Sequence, residues 1–131
     1  MSRIEKFEDI EAWKLARMLT GLVYNASETG SFGHDFALRD QIRRASISIV
    51  SNIAEGYERD GDREFLQFLY IAKGSCGEVR AQLYLALDRA YISQRQFTEL
   101  ASRAAEVSRV ISGLKYLRSS ELSGKKFKAS A

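Results

Sequence analysis

The side chains that most often perform catalysis are scarce in this sequence. His34 is the only histidine, and its Gly/Ser-rich surroundings are typical of a solvent-exposed loop rather than of a general base. Cys76 is the only cysteine, and it falls on an apolar helical seam, where a free cysteine is usually a small core residue. The carboxylate–histidine spacing of a di-iron helical bundle does not occur. We therefore expect no enzymatic activity, no cofactor or metal, and no small-molecule substrate.

One stripe of aromatic and basic residues has a spacing that suits nucleic acid. The stripe contains Tyr70, Lys73, Arg80 and Tyr84. Aromatic and basic side chains that alternate along one helix face resemble a platform for stacking single-stranded bases. Tyrosine and arginine are also enriched at interfaces between subunits, so an oligomer interface is the other interpretation of the same stripe. The sequence leaves both interpretations open.

The surplus of positive charge lies at the C-terminal end of the chain. The 131 residues include 20 Lys and Arg against 17 Asp and Glu, which gives a net charge of +3. The surplus comes from Arg118, Lys125, Lys126 and Lys128. The three lysines are candidate phosphate contacts, although a basic tail is more often a solubilising or incidental segment than a specific nucleic-acid binder. Because residues 119–131 offer little to bury, we expect them to form a basic flexible tail.

These side chains need helices to position them, and the sequence predicts four. The chain contains no proline, so the strongest interrupter of long helices is missing. Breaks at residues 28–33, 58–62 and 89–93 separate four segments in which apolar residues recur at spacings of three and four. Connections of this length join antiparallel neighbours. We therefore predict one all-α domain, an antiparallel up-and-down four-helix bundle over residues 1–118, with helices at about 9–28, 35–58, 62–88 and 93–118.

Two of the predicted helices begin at residues with capping character. Asp9 is the predicted N-cap of the first helix, because its carboxylate can accept from free backbone N–H groups. Ser93 and Gln96 have the spacing of a capping box at the start of the fourth helix. Both patterns place the helix boundary within a residue or two.

The second predicted helix has more apolar surface than one face of a bundle requires. One apolar seam runs along Leu38, Ile42, Ala45, Ile49, Asn52 and Gly56. The second seam contains Arg43, Ile47, Val50, Ala54 and Tyr57. A bundle helix usually buries a single stripe, so we expect the second seam to form an oligomer interface. Arg43 would pair there with a carboxylate of a neighbouring helix or subunit, and phosphate binding is its alternative role.

The third predicted helix contains two glycines, Gly74 and Gly77, at its middle. Each costs about 1 kcal/mol of helix stability relative to alanine. A close crossing with another helix would explain that cost. A phosphate-binding loop would instead need a preceding strand, and the sequence predicts none.

Three stretches of the sequence together resemble a known family. They read FEDIEAWKLA (Phe7–Ala16), QIRRASISIVSNIAEGYER (Gln41–Arg59) and EFLQFLYIAKGSCGEV (Glu64–Val79). The chain resembles, over about residues 7–117, the four-helix-bundle proteins encoded in intervening sequences of bacterial 23S rRNA genes, which are sometimes labelled ribosomal-protein-like. It is also similar to the accessory variability determinant of diversity-generating retroelements. The resemblance implies a pentameric ring without established enzymatic activity, and some relatives are described as binding nucleic acid or a reverse transcriptase.

Two function hypotheses follow from the sequence. The first is a non-enzymatic oligomeric scaffold or interaction module, and the alternative is an RNA- or DNA-binding accessory protein. No apolar run approaches the roughly 20 residues of a membrane span, and the first residues lack the apolar region of a secretory signal. A single cysteine also fits a reducing compartment, so we expect a cytoplasmic protein.

Overall fold

The computed structural model describes the backbone of residues 4–130 and the side chains of residues 4–123. A short 3-10 helix at Phe7–Asp9 precedes five α-helices. They are α1 (Glu11–Ala26), α2 (Gly30–His34), α3 (Phe36–Glu58), α4 (Asp62–Asp88) and α5 (Gln94–Ser130). The described residues contain no strand, and none of their helices is long and apolar enough to cross a membrane.

The four long helices pack around one core. α3 contacts α1 and α4, and α5 contacts α4 and α1, so the contacts close into a ring of four helices. The predicted helical bundle is therefore confirmed. The contacts between α4 and α5 run in opposite order along the two helices. The late residue Tyr84 of α4 meets the early residue Phe97 of α5, with ring centroids 4.8 Å apart, and the earlier Lys73 meets the later Ser108, with Nζ 2.7 Å from Oγ. These contacts favour the antiparallel topology, which stays a prediction.

Each long helix contributes fully buried side chains to the core. Leu19, Ile49, Leu69 and Ile111 represent α1, α3, α4 and α5 there. Cys76 is buried among them, as its place on an apolar seam predicts. Burial disfavours the thiolate and raises the pKa of Cys76 from 9.0 to about 11.

Small residues allow α3 and α4 to approach each other closely. A Cβ atom added to Gly56 would lie 2.6 Å from the Cβ atom of Phe68 on α4, so only glycine fits there. Further along the same contact, Ser75 Oγ donates a hydrogen bond of 2.8 Å to Ser48 Oγ. The small residues of α3 therefore serve the packing of this chain.

The start of α1 differs from the prediction. Asp9 is not its N-cap, because α1 begins at Glu11 and the N-cap position belongs to Ile10. The Asp9 carboxylate instead accepts from the backbone N–H groups of Glu5, at 3.1 Å, and Lys6, at 3.3 Å. The carboxylate therefore closes the 3-10 turn, and the helix starts two residues later.

The capping box at the start of α5 is confirmed. The backbone N–H of Gln96 donates to Ser93 Oγ at 3.1 Å, and the backbone N–H of Ser93 donates to Gln96 Oε1 at 2.8 Å. At the start of α3, Asp35 accepts from the backbone N–H of Leu38 at 3.1 Å and from the Tyr91 hydroxyl at 2.9 Å. Those two hydrogen bonds lower the pKa of Asp35 below 3.8.

The structure has helix at two places where the sequence predicts none, in the break after α1 and beyond residue 118. The break at 28–33 contains α2, so the exposed His34 ends a short helix rather than lying in a loop. The fourth helix was expected to end near 118, but α5 continues to Ser130. No proline interrupts residues 119–130, and Arg118 pairs with Glu121 at 3.3 Å across the first turn of this extension. The side chains of Lys125, Lys126 and Lys128 lie outside the described residues.

Candidate interaction surfaces

The second seam of α3 faces α1 and the N-terminal segment of the same chain. Val50 and Tyr57 are half-buried and pack against the core, and the Tyr57 hydroxyl donates to the backbone carbonyl of Ile4 at 3.5 Å. Ala54 is also half-buried. Ile47, at 43% exposure, is the most exposed member of the seam. The large contiguous apolar patch expected there is therefore mostly covered within the chain.

Arg43 connects α3 to the end of α1. Its Nε–H donates to Ser27 Oγ at 2.8 Å, and its Nη2 donates to the Tyr24 carbonyl at 3.4 Å. The guanidinium carbon also lies 4.4 Å from the centroid of the Tyr24 ring. Within this chain the partners of Arg43 are a hydroxyl, a carbonyl and an aromatic ring, and a carboxylate partner on another subunit stays a prediction.

The aromatic and basic stripe of α4 is not assembled into one site. Lys73 lies half-buried between α4 and α5, where its ammonium donates to Ser108 Oγ at 2.7 Å. Arg80 is exposed. Tyr70 and Tyr84 are 14 residues apart, which on an α-helix corresponds to about 21 Å. The two rings therefore cannot stack on neighbouring bases.

Each tyrosine of the stripe has its own partner on α5. The ammonium of Lys115 lies 4.0 Å from the centroid of the Tyr70 ring. The Tyr84 ring packs against Phe97. Both tyrosines nevertheless present more than half of their surface to solvent, at 62% for Tyr70 and 59% for Tyr84.

The exposed side of α4 carries an apolar surface, of which the predicted stripe includes only the two tyrosines. Ile71 and Leu85, each 52% exposed, follow directly after the two tyrosines. We call the following set the α4 face: Tyr70, Ile71, Gly74, Gly77, Ala81, Tyr84 and Leu85, all of them exposed. The signal for it in the sequence is the repeat of an aromatic–aliphatic pair, Tyr-Ile and Tyr-Leu, at an interval of 14 residues.

The α4 face also has few charged residues and two glycines with open space around them. Among the exposed residues that the structure describes between positions 65 and 87, only Glu78 and Arg80 are charged. A Cβ atom added to Gly74 or Gly77 would meet nothing within 4 Å in the described neighbouring elements. The close crossing that we expected at these glycines is therefore not made by the part of the chain that the structure describes.

One end of the bundle carries an open groove of a different character. The groove, of about 650 Å³, is lined by four acidic side chains, by Ile4, Tyr57 and Phe65, and by Arg118, which pairs with Asp62 at 3.3 Å. No group of three or more His, Cys, Asp or Glu side chains within the described residues is arranged to hold a metal ion. This groove offers polar surface at one end of the bundle. A groove of about 620 Å³ between the start of α3 and the end of α4 includes Leu38 and Leu85, so the apolar surface of α4 continues into it.

The fold and its surfaces define a small helical-bundle protein. Its exposed aromatic, aliphatic and basic side chains lie on helix faces rather than in an enclosed cleft. The sequence matches the model of the 23S rRNA-intervening sequence protein family over residues 8–113. The chain therefore belongs to that family. Its relationship to the retroelement accessory proteins stays a prediction.

A solved structure has the same fold. It is a crystal structure, at 1.70 Å resolution, of a protein with unknown function from the S23 ribosomal protein family of Bacteroides thetaiotaomicron. The two chains are 20% identical with a TM-score of 0.74, and the match covers 80% of this chain and 95% of the other. No curated protein sequence matches the chain.

Proposed function

We propose that this protein is a non-enzymatic, oligomeric interaction module, in which copies of the bundle associate through helix faces and the assembly binds a partner. The observation that carries this proposal is the α4 face. It combines large exposed apolar side chains with open glycine backbone and few charges. A monomer rarely exposes an apolar patch beyond a few hundred Å² unless the patch is used for binding.

The family resemblance supports a particular form of assembly, a closed pentameric ring. A ring requires a heterologous contact whose rotation closes, so each copy must present two different patches. Ile47 on the second seam is an exposed apolar candidate for one of them. The other patch would lie elsewhere on the same bundle.

Light scattering coupled to size-exclusion chromatography tests the proposal. We expect the wild-type protein at micromolar concentration to have the mass of an oligomer. Ile47→Asp changes an exposed side chain and should reduce the mass while leaving the helical circular dichroism unchanged. A wild-type protein that stays monomeric at 100 times that concentration would overturn the proposed function.

Binding of single-stranded nucleic acid is the second candidate function. It is favoured by the exposed Arg80 on α4 and by the Lys115 ammonium over the exposed Tyr70 ring. Replacing Arg80 and Lys115 by alanine should then weaken RNA binding and lower its salt dependence, because fewer counterions are released. Lys73→Ala is a structural comparison, since its ammonium is already bonded to Ser108. RNA binding that is absent at low salt would eliminate this candidate.

A further inference from the structure

The groove between the start of α3 and the end of α4 combines apolar, amide and charged side chains. Its volume is about 620 Å³, which lies within the range of roughly 300–1,000 Å³ that is typical of ligand sites. We call it the α3–α4 groove, and its lining includes Leu38, Gln41, Gln82, Leu85, Asp88 and Arg89. Each of these three kinds of side chain restricts what the groove can bind.

The apolar part of the α3–α4 groove is open to an incoming side chain. Leu85 is 52% exposed, and Leu38 is half-buried against the core. Because Leu85 also belongs to the α4 face, the groove continues the exposed apolar surface on which the proposed function rests. An aliphatic or aromatic side chain that covered the two leucines would remove apolar surface from water, which is the main favourable contribution to association.

One of the two glutamine amides that line the groove has an unsatisfied oxygen. Gln82 Oε1 is shielded from solvent and has no hydrogen-bond partner among the described residues. A polar atom without water or a partner is unfavourable, so a bound N–H donor would relieve it. The terminal torsion of a glutamine side chain is soft, and rotation about it turns the oxygen toward a donor in the groove.

The two amides suit a peptide main chain. Gln41 is exposed on α3, and Gln82 lies on α4, so the two amides belong to opposite walls of the groove. A glutamine amide has both an N–H donor and a carbonyl acceptor, as does each residue of a main chain other than proline. An extended segment leaves its N–H and C=O groups free to bond to such amides.

The charges at the end of α4 favour a basic residue in the bound segment. The described lining contains two carboxylates, those of Asp35 and Asp88, against the one guanidinium of Arg89. Asp35 already caps α3 by accepting from the backbone N–H of Leu38. Asp88 is the last residue of α4, where the helix dipole adds negative partial charge. A lysine or arginine placed next to Asp88 is therefore favoured over an acidic residue.

We propose that the α3–α4 groove binds an extended segment of a partner protein, in which an aliphatic or aromatic residue stands next to a lysine or arginine. The apolar side chain lies between Leu38 and Leu85. The main chain bonds to the amides of Gln41 and Gln82, and the cation pairs with Asp88. The inference rests on the proposed function, because it names the kind of partner that the module binds.

Methyl NMR of the full chain, labelled at its leucines, tests the groove with the peptide acetyl-Ala-Leu-Lys-Ala-amide. We expect saturable shifts of the Leu38 and Leu85 methyl signals, with a dissociation constant of about 1 mM for so small a contact. Two control peptides replace the leucine by serine or the lysine by glutamate. Each should bind about threefold to tenfold more weakly. Equal binding of all three peptides would overturn the proposal.

Two variants of α4 provide a matched pair. Leu85 and Ile71 are both 52% exposed, but only Leu85 lines the groove. Leu85→Ser should weaken binding of the lysine peptide at least about threefold, whereas Ile71→Ser should leave it unchanged. Asp88→Lys should reverse the preference between the lysine and glutamate peptides. Equal effects of the two serine variants, or an unreversed preference, would contradict the assigned contacts.

Gln82→Leu separates binding from folding. Because Gln82 Oε1 has no partner to lose among the described residues, the midpoint of thermal unfolding should stay the same or rise. The affinity for the lysine peptide should nevertheless fall about threefold, since the main chain loses an acceptor. A lower midpoint would show that Gln82 holds the bundle together and would reject its assigned role. An unchanged affinity would reject that role as well.

Light scattering on the same samples separates this inference from the proposed function. An oligomer whose Leu38 and Leu85 signals respond to none of the peptides would overturn the inference and leave the function standing. A monomer that binds the lysine peptide would overturn only the oligomeric function. A change in mass on Leu85→Ser would show that a second copy occupies the groove. Shifts caused by oligo-uridine but not by the peptides would show that RNA does, and either result would reject the inference.

Discussion

The second seam of α3 and the α4 face are both apolar surfaces on long helices, but they have opposite environments. In the seam, Arg43 contacts the end of α1 and Tyr57 contacts the N-terminal segment, while Val50 and Tyr57 pack against the core. At the glycines of the α4 face, an added Cβ atom would meet no neighbouring element among the described residues. Apolar periodicity therefore shows how much surface a helix must bury, whereas the arrangement of its neighbours decides which part is buried within the chain.

The physical reason lies in the position of α3 in the bundle. Every long helix has two neighbours in the ring, and α3 is also contacted by α2 and by the 3-10 helix at Phe7–Asp9. These additional contacts cover part of the second apolar seam of α3. We expect the following substitutions to separate the two surfaces, and we describe them from the largest effect to the smallest.

Val50→Glu should have the largest effect, because it places a carboxylate where the seam packs against the core. We expect the free energy of unfolding to fall by about 2–4 kcal/mol, the range for burying an unpaired polar group. Tyr70→Glu on the α4 face is the matched comparison and should change it by less than about 0.5 kcal/mol in the monomer. Urea unfolding at low protein concentration measures both. Similar losses from the two variants would remove the distinction between the surfaces.

Gly56→Ala should have the next largest effect. Its new Cβ atom would lie 2.6 Å from the Phe68 Cβ atom, so α3 and α4 must move apart. Overpacking of this kind costs about 1–3 kcal/mol. The midpoint of thermal unfolding should fall accordingly, and an unchanged midpoint would show that the helices separate without cost.

Arg43→Lys tests the part of the seam that connects α3 to α1. Lysine keeps the charge but loses the planar group that bonds to Ser27 and packs over Tyr24. We expect a loss of about 1 kcal/mol, typical of one hydrogen bond with its packing. Arg80→Lys, at an exposed position of α4, is the control and should leave the unfolding curve unchanged.

Gly74→Ala should have the smallest effect and the opposite sign. Its Cβ atom would meet nothing within 4 Å in the neighbouring elements that the structure describes, and alanine favours the helix by about 0.5–1 kcal/mol over glycine. The free energy of unfolding, measured in urea, should therefore increase. A destabilised monomer would show that Gly74 has a packing role inside the bundle.

Much of the fold could be predicted because it depends on local pattern. The spacing of three and four gives the four long helices and places Cys76 in the core, and the Ser93–Gln96 spacing gives the cap of α5. The start of α1 could not be predicted from Asp9, since the same carboxylate suits an N-cap or a 3-10 turn. The end of α5 was also missed, because the polar residues after Arg118 suggest a tail although none of them stops a helix.

The candidate surfaces were harder to predict because exposure is a property of the whole chain. Arg43 and Ile47 belong to one seam, yet Arg43 contacts α1 while Ile47 is exposed. Lys73 and Arg80 belong to one stripe, yet Lys73 bonds to Ser108 while Arg80 is exposed. Spacings of four and seven residues place such pairs on one side of a helix, and their environments differ because the neighbouring helix covers only one residue of each pair.

Because Cys76 is buried, the reactivity of its thiol reports how often the native bundle opens around α4. The thiol is unique in the chain and lies in α4, next to Gly77. Its pKa of about 11 keeps the native thiol protonated at pH 8 to 9, whereas an unfolded chain titrates near 9.0 and reacts. The rate of alkylation at pH 8 therefore measures how often α4 leaves the core, and a ligand or a second copy that holds α4 in place should slow that rate without any label being introduced.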